Sequence, residues 1–225
     1  MSIQAKIDRE RFGPSLFEVT LGAALSITLG VLLAAGYLVF TPVKILKAEP
    51  KEGELGRHEV VYIEGTKSTA RSGQWMRKRQ LLLEGQAAEI AIVEDELNAW
   101  IADGVRPATS ADAPAPAFLQ PTAVNFRIRE GVIQVGVPAS LNAFGYTKPV
   151  IFQMRGGFEQ RGDRFEFVPS ESYLGSLSLH RIPAAENFLI GALARTQSAA
   201  EDVAAAWDRV SAVGVEGNTL RVTLR

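Results

Sequence analysis

From Val19 to Phe40 the chain reads VTLGAALSITLGVLLAAGYLVF, 22 positions without a charged residue, with Glu18 closing the run on its N-terminal side. Wound as a helix at 1.5 Å per residue it spans roughly 33 Å, enough for the hydrocarbon core of a bilayer. A helix from a soluble core would carry a polar stripe. Here the run offers only Thr20, Ser26 and Thr28, and such hydroxyls can bond back to their own helix backbone. A single transmembrane helix is expected. A cleaved secretory signal fits less well, because its apolar region is shorter, roughly 7–15 residues, and ends in a small-residue cleavage site. After Ala34-Ala35-Gly36 the apolar run continues through Tyr37-Leu38-Val39-Phe40, which favours an uncleaved signal anchor. Pro14 and Pro42 stand where helix boundaries tolerate proline, and Tyr37 and Phe40 suit a membrane interface.

Gly22, Ser26, Gly30 and Ala34 recur along one face of this helix. Small side chains at that spacing allow another membrane helix to approach closely, in a homo-oligomer or in a larger membrane complex.

The 225 residues divide into a short cytoplasmic head (1–18), the transmembrane helix (19–40), a juxtamembrane linker (41–57) and one domain (58–225). A net charge of −1 gives no reason to expect a nucleic-acid partner. The absence of cysteine excludes a disulfide framework, a thiolate metal site and a cysteine nucleophile. Basic residues do not orient the span: Lys6, Arg9 and Arg11 on one side balance Lys44, Lys47 and Lys51 on the other. The short head ahead of an apolar span favours the signal-anchor topology. The expected location is a bacterial cytoplasmic membrane, with the C-terminal domain in the periplasm or outside.

Within the domain, HEVVYIE (58–64) reads as a β-rich run, 65–74 as a polar turn region, and Trp75–Glu84 as either strand or helix. Arg77, Lys78 and Arg79 form a basic cluster, a solvated face in the plainer reading and a lipid-headgroup contact in the other. Ala87–Ile92 predicts a strand. Glu94–Ala102 predicts a short helix with Leu97, Trp100 and Ile101 on one face and Glu94, Asp95 and Glu96 in the dipole-favoured first turn. Residues 104–121 form a long loop rich in proline and alanine. Val124, Phe126 and Ile128 then alternate with Asn125, Arg127 and Arg129, giving a strand with an apolar and a basic face. Ile133, Val135 and Val137 continue the alternation, and Pro138 points to a strand edge or end. Val150, Phe152, Met154 and Phe158, then Phe165 and Phe167 beyond a Gly162-Asp163 turn, complete an antiparallel meander.

Pro183 predicts a helix start, with Phe188, Leu189, Ala192 and Leu193 as its apolar face. Capping-box spacing from Ser198 to Glu201 predicts a second helix whose core face is Val203, Trp207 and Val210. A closing hairpin, Val213–Val215 and Leu220–Leu224, turns at Glu216-Gly217-Asn218. The fold class is α+β, a curved antiparallel sheet packed by helices and carried behind one N-terminal transmembrane helix.

The run Glu94-Asp95-Glu96-Leu97-Asn98-Ala99 resembles the "acidic, acidic, Leu-Asn-Ala" helix start of YpmS-like proteins, which are bacterial proteins with one N-terminal membrane helix and an exported domain. Leu174-Gly175-Ser176-Leu177-Ser178-Leu179 is similar to that family's later Gly-x-Leu-x-Leu-Pro run, although here His180-Arg181-Ile182 displace the proline to Pro183. The resemblance implies an anchored, exported domain and supplies no catalytic residues. Curved sheets with apolar interiors also occur in lipid-handling tubular modules, an analogy that makes an apolar ligand conceivable.

No nucleophile elbow, phosphate loop or dinucleotide fingerprint is present. His58 and His180 lack ligand spacing, and Gly156-Gly157 suits a strand bend better than a phosphate cradle. Neither catalytic residues, nor metal, nor cofactor is expected. Asn98, if buried, requires hydrogen bonds, most simply to the backbone of an adjoining strand. The expected function is a non-enzymatic, membrane-anchored extracytoplasmic subunit with a structural or assembly role, docking through its helix and its sheet domain. The alternative is a membrane-tethered module that binds lipid, in which Trp100, Trp207, Phe126, Phe152 and Phe165 line a ligand cavity instead of only filling core.

Overall fold

Ser15 and Glu18 start the first helix. The Glu18 amide donates to Ser15 Oγ (3.2 Å) and the Ser15 amide donates to Glu18 Oε2 (3.1 Å), a reciprocal capping box. Helix α1 therefore runs Leu16–Phe40 in the computed structural model, beginning ahead of the uncharged run itself. Thr20 and Thr28 donate back to the carbonyls of Leu16 and Ala24. None of the residues of α1 is buried, and the helix is long and apolar enough to cross a membrane. A Cβ added at Gly22 or Gly30 would meet open space.

The structure describes residues 13–51, 53, 55–56, 59–67, 72–85, 89–104, 119–143, 145–196 and 201–225. Lys6, Arg9, Arg11, His58, most of the proline-rich loop and Ser198 lie outside them. The chain divides into two units, Met1–Val39 and Phe40–Arg225.

The second unit is mixed α+β. Its larger sheet is antiparallel, β4 (Leu119–Pro121), β5 (Asn125–Arg129), β6 (Val132–Ala143), β7 (Tyr146–Arg161), β8 (Arg164–Leu174) and β9 (Leu177–Ser178). Strands β4 and β5 lie end to end along one edge of β6. Pro138 is thus interior to β6, not at an edge or end. It is tolerated because its carbonyl takes the Thr122 amide (2.9 Å) in the gap between β4 and β5, where the amide that proline lacks has no strand partner to serve. At Gly156 a β-bulge shifts the β7–β8 register; a Cβ there would lie 2.1 Å from the Val168 carbonyl oxygen.

A separate three-stranded sheet, order β10 (Val210–Glu216), β11 (Thr219–Leu224), β3 (Glu89–Val93), approaches the larger one through β10 and β11. The C-terminal hairpin therefore pairs with β3 and does not close the meander. A short parallel pair joins β1 (Lys44–Leu46) to β2 (Val61–Ile63).

The ambiguous segment is helix α2 (Ser72–Glu84), which packs on α3 (Glu94–Gly104). Its basic cluster divides: Arg77 is exposed, whereas Lys78 turns in to the buried Glu96, with nitrogen–oxygen distances of 2.8 and 2.6 Å. Helix α4 (Pro183–Thr196) buries Leu189 and Leu193, but Phe188, expected on the same face, is 63% exposed. Helix α5 (Glu201–Trp207) stops before Val210, which is buried as the first residue of β10 instead of completing a helical face.

The core is built from the inward rows of the large sheet. Ile128, Ile133 and Phe152 are almost wholly buried, together with Ile90, Ile92, Leu97, Val210 and Val222.

Candidate functional site

The alternation in β5 places Asn125, Arg127 and Arg129 on the face of the sheet opposite the core. Strand register extends this face into rows. Arg127 stands opposite Gln134, Gln134 opposite Arg155, and Arg155 opposite Glu171; beside them run Asn125, Gly136, Gln153 and Tyr173. Such a face would ordinarily be wet. Here Asn125, Arg127, Gln134 and Gln153 are all buried, because the stretch around β1 and β2 lies on it.

Gly136 makes this covering possible. A Cβ there would lie 2.2 Å from the Tyr62 ring, so glycine opens the space into which that ring is laid. Tyr62 donates to Asn125 Oδ1 (2.8 Å), which also accepts the Gly65 amide (2.6 Å), while Asn125 Nδ2 donates to the Gly65 carbonyl (3.2 Å). Gln134 Nε2 donates to the Ile63 carbonyl at 3.4 Å. Arg127 is 7% exposed and forms an ion pair with Glu49 Oε1 at 2.5 Å.

Alongside the covering segment a groove of about 750 Å³ stays open. Its lining is mixed: Arg127, Arg129 and Arg155 against Glu49, Glu59, Glu130 and Glu171, with Gln134, Gln153 and Tyr173 between and apolar surface from Leu55, Val60, Val132 and Met154. Glu59 is engaged by Lys44, which with the Gly56 amide holds its carboxyl below the usual range. Among the described residues, no carboxylate lies within ion-pair distance of Arg129 or Arg155.

The outer edge of β5 is closed from α3. Asn98, 1% exposed, accepts the Phe126 amide (2.7 Å) and donates to the Phe126 carbonyl (2.7 Å) and the Thr66 carbonyl (3.0 Å). Its carboxamide thus pairs with one residue of the strand much as a neighbouring strand would, meeting the requirement read from the sequence for a buried asparagine. Glu94 Oε2 accepts the Ile128 amide (2.9 Å), and Glu94 Oε1 accepts the Thr66 amide (2.6 Å). Asp95 takes the Thr66 hydroxyl (2.6 Å), and Glu96 reaches back to the Val93 amide (3.0 Å) as a helix cap. The three consecutive carboxylates are therefore committed to closing a strand edge and starting a helix.

The aromatic candidates lie elsewhere. Phe152 is core. Phe126, Phe165, Trp100 and Trp207 are half-buried. Trp207 packs against Phe158 (5.8 Å between ring centroids) and donates to the Phe165 carbonyl (2.9 Å). Trp100 borders a gap of about 10 Å³ with Trp75, Leu82 and Ile92. None of the five lines the open groove. The small-residue stripe Gly22, Ser26, Gly30, Ala34 is exposed on α1. His180 contacts Ser178 Oγ (3.2 Å) and the edge of Tyr173. No carboxylate orients its ring, and no cluster of metal-ligating side chains occurs, among the described residues.

Sequence reasoning passed over Glu49, Gln134, Gln153 and Arg155 as site residues. The basic alternation at Arg127 and Arg129 was the available signal, but cross-strand register is what joins it to the others.

Burial pushes the Tyr62 phenol far above its ordinary value, and the charges of Glu64 and Glu94 add to the shift. A phenol that keeps its proton more tightly when folded contributes stability that is complete below about pH 10, its unfolded value, and is lost as pH climbs from there toward the folded value. The melting temperature should accordingly fall less steeply above about pH 10 in Tyr62→Phe than in the parent chain. Parallel curves would mean that Tyr62 ionises freely in the fold.

Comparison with known proteins yields no relative: no family model, no curated protein and no solved structure matches the chain. None of these comparisons bears on the YpmS-like resemblance.

Proposed function

We propose that this chain is a non-enzymatic, membrane-anchored docking subunit that assembles with other proteins through α1 and through the polar face of its sheet. The carrying observation is where space is left. The apolar face is filled by Ile128, Ile133 and Phe152, whereas the open groove lies on the charged and amide-rich face. Charged and amide groups fix the geometry of a protein contact, while a lipid chain needs an apolar enclosure. The 25-residue apolar helix suits a membrane span, and the reading carries the domain exported from a bacterial cytoplasmic membrane.

The test uses the full chain in mild detergent, with assembly read by chemical crosslinking and mass, and bound lipid counted on the same samples. Gly22→Leu and Gly30→Leu add side chains into open space on α1, so they should leave the helix intact and lower the crosslinked fraction. Unchanged crosslinking in both variants would remove the stripe from the assembly. A monomer that retains one bound lipid in every variant would favour the lipid-binding alternative. Protease added to intact spheroplasts should digest the domain; protection until permeabilisation would invert the topology.

A further inference from the structure

We propose that the polar-face groove is a peptide site for an extended partner segment bearing a glutamate or aspartate, and that Glu49 holds its anion position in the unoccupied chain. The inference rests on the docking function proposed above and names what docks.

The groove already shows how it holds a peptide. The chain's own extended residues lie on the face, with a backbone carbonyl, Ile63 O, taken by the Gln134 amide and a carboxylate, Glu49, taken by Arg127. Arg127 is buried and cannot do without a counter-ion, because a desolvated, unpaired guanidinium is costly. The ion it uses comes from a side chain that is itself 64% exposed and outside both strands of the parallel pair. Because that carboxylate comes from a solvent-exposed side chain, another of the same chemistry can reach its place.

Space and charge for a partner lie beside it. Arg155 stands two strands from Arg127 in the same row, with Gln134 between them and Gln153 on the neighbouring row. Arg155 and Arg129 line the groove with no ion-pair partner among the described residues. Side chains on one face of an extended peptide repeat every second residue, as do the residues of the sheet face beneath. A planar guanidinium suits a carboxylate in a two-bond fork. Glu130 and Glu171 also line the groove, and their charge penalises phosphates and polyanions more than a carboxylate that sits on one of the arginines, which narrows the occupant to a peptide of low net charge.

The test measures fluorescence anisotropy of a short labelled peptide with two Glu separated by one Thr and a Lys at each end to keep its net charge low, and of its Gln counterpart, on the full chain in detergent. Glu49→Gln removes the internal competitor and should tighten the Glu peptide by about tenfold, while the Gln peptide stays weak on every variant. Adding Arg155→Ala should weaken that peptide again by about tenfold, back to about its affinity for the parent. Melting is recorded on each sample, and the Glu peptide should raise the melting temperature of Glu49→Gln more than that of the parent. Should Glu49→Gln fail to fold, Arg155→Ala alone serves, because Arg155 has no ion pair among the described residues. It should weaken the Glu peptide by about tenfold at an unchanged melting temperature.

Equal binding of the Glu and Gln peptides, or of neither, overturns the proposal. So does competition by inorganic phosphate at matched charge, which would make the groove a general anion site. Crosslinking on the same samples keeps the two claims apart: an assembly that persists while no peptide binds overturns the peptide site alone. A monomer that binds the Glu peptide selectively supports the site and removes the assembly role of α1.

Discussion

Asn98→Ala should destabilise the domain by about 3–5 kcal/mol, with a buried amide and two carbonyls left without partners at about 1–3 kcal/mol each and some relief from relaxation. All three lost bonds run to backbone, Phe126 N, Phe126 O and Thr66 O, so no alternative rotamer of a neighbouring side chain restores them. Denaturant unfolding of the full chain, followed by tryptophan fluorescence, reads the loss. Asn98→Asp separates hydrogen bonding from packing. It keeps the acceptor for the Phe126 amide and nearly the same volume, but sets a carboxylate against two carbonyls, so it should be no more stable than the alanine variant. A cost below about 1 kcal/mol for Asn98→Ala would show that water satisfies this edge of β5, and that α3 is not what closes it.

Gly65→Ala should be at least as damaging, at about 3 kcal/mol or more, by a different mechanism. The added carbon would lie 1.9 Å from the Phe126 carbonyl oxygen and 2.8 Å from its carbon, both backbone, and 3.0 Å from Asn98 Nδ2. Nothing there can rotate away, so the segment must lift and give up its paired bonds to Asn125. Because that segment covers the polar face, the variant should also expose Tyr62 and lose its alkaline signature. Gly157→Ala is the control for an uncrowded glycine, one in β7 whose added carbon meets nothing within 4 Å. It should stay within about 0.5 kcal/mol of the parent. If both substitutions cost the same, the penalty belongs to replacing glycine in general and the close approach at Gly65 is irrelevant.

The two variants report on one junction from its two sides. Asn98 holds the outer edge of β5, and Gly65 lets the covering segment come close enough for Asn125 and Gln134 to grip it. The groove depends on that junction, since Arg127 is buried only while the covering segment is seated.

Local pattern carried a good part of this fold. The uncharged run predicted α1, period-two alternation predicted β5 to β8 with the correct faces, and the acidic first turn predicted α3. These features are legible because each is decided within a few residues, by the pitch of a helix or the pleat of a strand. The same logic failed where the deciding partner is distant. Val210 continues a helical spacing from Val203 and Trp207, yet it is drawn into a strand by pairing with Leu224. Phe188 shares a helical face with apolar neighbours, yet most of its surface stays exposed. Pro138 reads as a strand end and is instead interior, excused by a break in the opposing strand.

From the sequence alone came an apolar helix, an α+β domain after it, the two-faced β5, and the requirement that a buried Asn98 be hydrogen-bonded. Tertiary structure alone decided that the basic face of β5 is covered, that Arg127 is buried against Glu49, and that the open volume lies on the polar side. The physical reason is that burial of a charge depends on which segment crosses above it and where a counter-ion arrives, here one from far back in the chain. Periodicity reports which way a side chain points; it does not report what comes to lie against it.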